Sequence, residues 1–183
     1  TYTHQTSENN DVREYGGSQT VLALTSGNYV KTTDLQSDSF QIFSDWSDNF
    51  STTFRYGMRT VDTAQDSVGG ADFMRAVVEL GEGDRGPQVI MGPDVFRHFN
   101  SLSTDTSELE FEMSYLLGSH ELVAGIHKNS VDVFNGFVAY SDAELLFASM
   151  DDFENKTPYS IDYRNSPSGN PEDGSAAFEI ETT

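Results

Sequence analysis

The sequence predicts an all-β fold, specifically an antiparallel β-sandwich or barrel, and three observations indicate it. Two segments, Phe50–Met58 and Glu108–Leu117, alternate apolar and polar residues strictly, as strands with one buried face do. Shorter apolar runs recur along the rest of the chain, and turn-forming pairs separate them. Many short strands with turns at such intervals are typical of sandwiches and barrels.

The two alternating segments are expected to be central strands whose aromatic faces meet the core. Phe54 and Phe111 lie near the middle of these faces, and a helix would instead spread the same apolar side chains around its whole axis. Weaker strand candidates follow from shorter runs of the same kind: Thr20–Leu24, Tyr29–Thr33, Phe40–Phe43, Ala76–Leu80, Gln88–Met91, Leu122–Ile126, Val131–Phe134, Gly136–Tyr140, Leu145–Ala148, Tyr159–Tyr163 and Ala177–Ile180.

One turn and one helix stand out between the strand candidates. Asn135-Gly136 separates two apolar runs, and both of its residues tolerate the positive φ of a type I′ turn, so a β-hairpin is predicted there. Apolar residues recur at helical spacing in Asp94–Leu102, directly after Pro93. Because Asp94 suits the first turn of a helix, one short helix is expected in this segment.

The chain is expected to form a single β domain, residues 17–164, between two extensions. Residues 1–16 lack a periodic apolar face and are expected to be an N-terminal arm. Residues 165–183 are expected to be a C-terminal extension, because they begin with a stretch rich in Asn, Ser, Pro and Gly. Neither end is predicted to bury enough apolar surface on its own, so neighbouring subunits are expected to order both.

The net charge of −20, from 30 Asp and Glu against ten Lys and Arg, is the strongest compositional signal. At ordinary ionic strength such a surface repels itself, whereas molar salt shortens the Debye length to about 3 Å. The composition therefore indicates a halophilic protein that needs salt to fold and assemble. Nucleic acid is not an expected partner, because binding it requires clustered Lys and Arg. The absence of Cys excludes disulfides, thiolate metal sites and a Cys nucleophile.

No pattern indicates a catalytic, cofactor or metal site, and the chain is not expected to be an enzyme. Residues 81–86 match the glycine spacing of a dinucleotide motif, but Pro87 and a strand candidate follow where that motif requires a helix. A surface turn is expected there. His120 and His127 are seven residues apart and would point to opposite faces of a strand.

Three clusters of acidic residues invite a calcium interpretation, but none has the spacing of a calcium-binding loop. They are expected to form solvated surface on which cations bind only adventitiously. Their members are Asp45 and Asp48; Asp62, Asp66 and Asp72; and Asp151 and Asp152.

An acidic, cysteine-free, all-β chain of this length with extended ends resembles the smaller major capsid protein of haloarchaeal icosahedral viruses that carry an internal membrane. The resemblance covers the whole chain in length, acidity and strand pattern. It implies a single upright jelly roll that assembles with itself and a second, larger capsid protein into capsomers of the virion. Contact with the internal membrane would pass through other proteins. The family has no catalytic residue, cofactor or small-molecule substrate to carry over.

Two other classes remain open. A carbohydrate- or surface-binding β-sandwich module of a secreted haloarchaeal protein would need an exposed aromatic platform, for which Trp46 is the single candidate. A hydrolase on a β scaffold would need a nucleophile beside a base, and Ser119-His120 is merely a pair of sequence neighbours. The assembly state in molar salt separates a shell protein from both.

Overall fold

Two β-sheets form the framework of the chain in the computed structural model, which describes residues 1–13, 17–70, 73–81 and 86–182. The fold is all-β, a two-sheet sandwich consistent with a jelly roll, as predicted. The described residues form one α-helix, α1 (Met150–Glu154), and eleven strands: β1 (Tyr2–Arg13), β2 (Val21–Ala23), β3 (Tyr29–Ser47), β4 (Phe50–Ser67), β5 (Arg75–Glu79), β6 (Gln88–Met91), β7 (Asn100–Leu117), β8 (His120–Phe137), β9 (Glu144–Phe147), β10 (Ser160–Asp162) and β11 (Ala176–Thr182).

The larger sheet is antiparallel throughout, with the strand order β1-β3-β4-β7-β8-β11. Its four middle strands have 18 or 19 residues each, which corresponds to about 60 Å of extended chain. Two-residue turns at 48–49 and 118–119 join them into two hairpins that lie side by side. At the second turn Gly118 takes a φ of 64°, a left-handed conformation that favours glycine.

The smaller sheet is mixed and holds the buried core. Its strand order is β10-β9-β5-β6-β2, and β2–β6 and β5–β9 are parallel pairs. Val78 is fully buried between its neighbours, and Phe147 packs edge-on against Phe153 with 5.2 Å between ring centres. Its strands have only three to five residues.

The segment between β6 and β7, which carries Phe96 and Arg97, contacts one end of the larger sheet. Phe96 stacks on Phe137, the last residue of β8, and the Arg97 guanidinium lies 4.6 Å from the ring centre of Tyr29, the first residue of β3. We call this end of the larger sheet proximal, and the end with the two hairpin turns distal. The distal half of the larger sheet therefore projects beyond these contacts.

The two strongly alternating segments are central strands, as predicted. Phe50–Met58 lies in β4, Glu108–Leu117 lies in β7, and Phe54 pairs directly with Phe111. The expectation that their aromatic faces meet the core was wrong in one respect. Phe54 and Phe111 are only partly buried, and the side chain of Tyr56 is exposed. The physical reason is length, because strands of three to five residues are too short to cover a sheet of 18-residue strands.

The weaker strand candidates were confirmed in type but not in extent. Tyr29–Thr33 and Phe40–Phe43 belong to the single strand β3.

The predicted hairpin at Asn135-Gly136 was wrong, because β8 runs straight through this pair. Asn135 pairs with Leu102 of β7 on one side and with Ala176 of β11 on the other. Pairing on both sides holds the chain extended and overrides the local turn preference.

Each of the other strand candidates overlaps one observed strand: Thr20–Leu24 overlaps β2, Ala76–Leu80 β5, Gln88–Met91 β6, Leu122–Ile126 and Val131–Phe134 β8, Leu145–Ala148 β9, Tyr159–Tyr163 β10 and Ala177–Ile180 β11, while Gly136–Tyr140 overlaps only the end of β8.

The predicted helix in Asp94–Leu102 is a single 3₁₀ turn, Val95–Arg97. The Asp94 side chain accepts a hydrogen bond from the amide of Phe96, as expected for a first turn. The turn cannot continue as a helix because β7 begins at Asn100. The described α-helix is α1, where Ser149 caps the amide of Asp152 at 3.1 Å.

Both chain ends lie along edges of the larger sheet. Within residues 1–16, β1 pairs with β3, and within residues 165–183, β11 pairs with β8; residues 14–16 lie outside the described residues. The Asp38 carboxylate on β3 accepts a hydrogen bond from the Tyr2 hydroxyl and contacts His4 Nδ1 at 2.6 Å. Together with a bond from Gln36, these contacts lower the pKa of Asp38 to about 2. That neighbouring subunits contribute to ordering both ends stays a prediction.

A buried ionic cluster joins the smaller sheet to the 3₁₀ turn. Arg75 Nε of β5 lies 3.0 Å from Glu144 Oε1 of β9, and Arg75 Nη1 lies 3.8 Å from Asp94 Oδ1. Arg97 Nε lies 3.6 Å from the other Asp94 oxygen. Burial raises the pKa of Glu144, although Arg75 opposes that shift.

We expect Arg75→Met to lower the free energy of unfolding by about 3–5 kcal/mol at neutral pH, because it leaves the buried Glu144 carboxylate without its cation and leaves Asp94 with Arg97 alone. Denaturant unfolding followed by circular dichroism measures this loss. The matched control is Arg55→Met, which breaks the more exposed Arg55–Glu110 pair (2.7 Å) and should cost less than about 1 kcal/mol. Equal losses in the two variants would contradict the role given to the cluster.

Buried His98 predicts a pH dependence. Its Nδ1 accepts a hydrogen bond from the amide of Asp142 at 3.1 Å. Burial lowers the pKa of His98, and Arg75 adds to this, while Asp142 and Asp94 oppose it. The folded-state pKa of His98 lies below the ordinary 6.5. The contribution of neutral His98 to stability is therefore fully present above about pH 6.5 and is lost as the pH falls through the folded-state pKa.

Replacement of this imidazole should therefore flatten the pH profile. Unfolding free energies from pH 7.5 to 5 should decline for the wild type and decline less for His98→Gln, which keeps an acceptor but does not titrate. Parallel profiles for the two proteins would show that His98 does not control stability in this window.

Candidate functional site

The distal half of the larger sheet consists of the four strands β3, β4, β7 and β8, and the smaller sheet does not cover it. β1 pairs with β3 only as far as Phe40, and β11 pairs with β8 only from Asn129 onward. Thr1 also exchanges two backbone hydrogen bonds of 2.7 Å with Gln41. Residues 42–47 and 120–128 are therefore the outer strand segments of this half, among the residues that the structure describes. Both faces of the four strands lie beyond the contacts with the smaller sheet.

One face of this distal half is mainly apolar over four successive registers. Residues that pair directly across a sheet point to the same side, so the registers define the face. We call it the distal apolar face. Its registers are Phe40, Tyr56, Leu109 and Lys128; Ile42, Phe54, Phe111 and Ile126; Ser44, Thr52, Met113 and Ala124; and Ser47, Phe50, Tyr115 and Leu122.

Many side chains of the distal apolar face are exposed. Leu122 and Ile126 of β8 are 56% and 67% exposed. Trp46 joins the same face, because its indole N–H donates to Thr52 Oγ1 at 2.9 Å, and it is 68% exposed. Large apolar side chains at this exposure, in neighbouring registers, form a continuous patch of the kind that marks interaction surfaces.

The opposite face of the same strands carries the charges. Glu108, Glu110 and Glu112 alternate with the apolar residues of β7, and Arg55 forms an ion pair with Glu110. The distal apolar face has no Asp or Glu in any of its four registers. Its single charged residue is Lys128, whose Nζ lies 2.8 Å from Glu181 Oε1; that hydrogen bond raises the pKa of Lys128.

The same side of the sheet becomes strongly acidic toward the proximal end. Two cross-strand ladders place three acidic residues side by side. Like charges directly opposite each other destabilise a sheet, and the Thr60 hydroxyl offsets this only locally, with a bond of 2.6 Å to Asp105. We call these sets the acid ladders, and they are Glu8, Asp34 and Asp62, and Asp105, Asp132 and Glu179.

The proximal half has an apolar register on the other side. Leu35, Val61, Val133 and Phe178 share one register, and the Phe178 side chain is exposed. The sheet thus reverses its apolar side along its length. In the sequence of β3, Leu35 stands at an odd position, whereas Phe40 and Ile42 stand at even positions and so point to the opposite side.

The sequence-derived candidates do not converge in space. His120 and His127 lie on β8 an odd number of residues apart and so on opposite faces, as predicted for a strand. Residues 82–85 of the glycine-rich segment lie outside the described residues. Before that segment, the amide of Leu80 donates a hydrogen bond of 2.7 Å to the carbonyl oxygen of Pro87, which follows it.

The acidic clusters are separate as well. In the described part of the chain, no group of three or more His, Asp or Glu side chains is arranged to hold a metal ion. A shallow, open depression of about 370 Å³ lies beside the first acid ladder. Asp45 and Asp48 lie at the distal turn, Asp62 and Asp66 on β4, and Asp151 and Asp152 in α1, while Asp72 is outside the described residues.

Sequence reasoning located the strands of this site but not its exposure. Leu122–Ile126 was identified as a strand, and its alternation of Leu122, Ala124 and Ile126 was the available signal for an apolar face. The acid ladders had no local signal, because their members come from separate strands and meet only through the register.

Comparison of the chain with protein-family models, curated proteins and solved structures finds no match. None of the helices in the described residues is long and apolar enough to cross a membrane.

We expect Asp132→Asn to stabilise the fold at about 50 mM salt by a few tenths of a kcal/mol, because it removes the central charge of an acid ladder. In molar salt the gain should vanish, since screening already suppresses the repulsion. Thermal unfolding through a salt series measures both. Asp45→Asn, which removes one exposed charge opposite Ser51, is the control, and an equal gain there would contradict the ladder interpretation.

Proposed function

We propose that this chain is a structural virion protein, a major capsid protein that forms capsomers of an icosahedral shell in a high-salt environment. Its partners would be further copies of itself and a second, larger capsid protein. The observation that carries the proposal is the distal apolar face, which is half exposed and free of acidic residues in a chain of net charge −20. Such a surface fits a protein whose work is packing against other subunits.

The shape of the site favours packing over chemistry. The distal apolar face is an open sheet surface, whereas small-molecule sites are concave and bury most of the ligand. The buried groups with shifted pKa values, Glu144 of β9 and His98 directly after the 3₁₀ turn, lie at the buried ionic cluster that joins β5, β9 and this turn. That the chain is not an enzyme and uses no cofactor stays a prediction.

The acid ladders support the high-salt environment. Each ladder places three carboxylates in adjacent strands, an arrangement that ordinary ionic strength penalises and molar salt tolerates. The same screening would let two subunits of charge −20 approach each other.

A carbohydrate- or surface-binding module is the second candidate, and the position of Trp46 favours it. The Trp46 indole lies exposed on the same face as Tyr115, and exposed aromatic rings on a flat face are suited to stack on sugar rings. A glycan-binding measurement separates the two functions, because a shell protein should assemble without any glycan.

We expect the full chain, alone or with a candidate larger shell protein, to form regular assemblies in molar salt and to lose them as salt is diluted to about 50 mM. Sedimentation velocity and electron microscopy measure this. A version lacking residues 1–16 should stay folded, because the described side chains of β1 are exposed, yet enter assemblies poorly. A wild-type protein that stays monomeric with its partner and binds glycans would favour the module instead.

A further inference from the structure

We infer that the distal apolar face packs against the same face of a second copy of this chain. This inference rests on the proposed function, since it names the partner of the surface that carries that proposal. The strands around Phe54 and Phe111 form the centre of the contact, and Leu122 and Ile126 of β8 form one border.

The area of the face matches what a stable dimer needs. Eight large apolar side chains on it are 39–68% exposed, which corresponds to about 800 Å² of accessible surface at roughly 200 Å² for each side chain. A standard protein–protein interface buries about 800 Å² on each partner. Exposed apolar patches on monomeric proteins are usually smaller than this.

The distribution of charge selects a copy of the same chain over a partner of opposite charge. A basic partner would gain most against the acid ladders or against Glu108, Glu110 and Glu112, and none of these groups lies within the distal apolar face. A second chain of charge −20 meets the least repulsion at a surface without acidic residues. The four registers of this face meet that condition.

The geometry of the face also suits a copy of itself. Two sheets pack face to face at about 10 Å, with their apolar side chains interdigitated. An open four-stranded face can pack against an identical face across a two-fold axis, and a closed pair removes it from water without any further component.

The experiment uses neighbouring residues of β8 that point to opposite sides. Leu122 lies on the distal apolar face and is 56% exposed, while Val123 lies on the opposite face and is 57% exposed. Leu122→Asp and Val123→Asp therefore add the same charge at the same exposure. In molar salt, sedimentation equilibrium should show wild-type and Val123→Asp proteins associating alike, and Leu122→Asp weakened about tenfold or more.

Cysteine protection supplies a second readout that does not depend on Leu122→Asp folding. The chain has no Cys, so Ile126→Cys and Val123→Cys each carry one thiol. Association should slow the reaction of a thiol reagent with Ile126→Cys and leave that of Val123→Cys unchanged.

A wild type that is monomeric in molar salt up to about 100 μM overturns the inference, as do equal effects of the two Asp variants or equal thiol reactivity. If the wild type associates and Leu122→Asp associates equally, the contact lies elsewhere and the shell function stands. If pairs form through this face but no larger assembly appears with a partner, the shell function fails and the contact stands.

Discussion

The structure depends on one constraint: four strands of 18 or 19 residues carry apolar faces that the rest of the chain is too small to cover. The strands of the smaller sheet have three to five residues, and the 3₁₀ turn that follows β6 contacts the larger sheet near Tyr29 and Phe137 at the proximal end. About 60 Å of strand therefore faces a partner sheet less than 20 Å long. Because apolar burial is the main source of stability, a fold built this way leaves apolar surface available for burial against another molecule.

The charges of the sheet follow from the same constraint. In the distal half the acids of β7 all lie opposite the apolar side, and in the proximal half the acid ladders occupy the side that was apolar further out. Each side of the sheet is thus divided along its length into an apolar and an acidic region. A partner that covers one apolar region need not approach the acid ladders on the same side, so charge limits where contact occurs as well as how strong it is.

Local features of the structure could be predicted from the sequence, whereas features that depend on contacts between distant segments could not. Alternation in Phe50–Met58 is local, so the strand and its central position followed from it. The cover of that strand is not local, and its exposure could not be predicted from alternation, which is equally typical of a buried and an unpartnered face. The hairpin predicted at Asn135-Gly136 does not form because pairing on both sides outweighs the local turn preference. The acid ladders could not be predicted because register brings together residues that are far apart in sequence. The helix α1 has a local signal in Ser149, three residues before Asp152, which is the spacing of a capping box.

Salt affects folding and association in the same way, because it screens charge repulsion over similar distances in both. At ordinary ionic strength the Debye length is about 10 Å, close to the separation of two packed sheets, so acidic groups on either side of a contact still repel each other. In molar salt the Debye length falls to about 3 Å, and the repulsion across a contact and along each acid ladder falls with it. Salts that are excluded from protein surfaces also strengthen apolar burial. Removal of repulsion and strengthening of apolar contact therefore change in the same direction. We expect the distal apolar face to associate under the same conditions in which repulsion along the acid ladders is weakest.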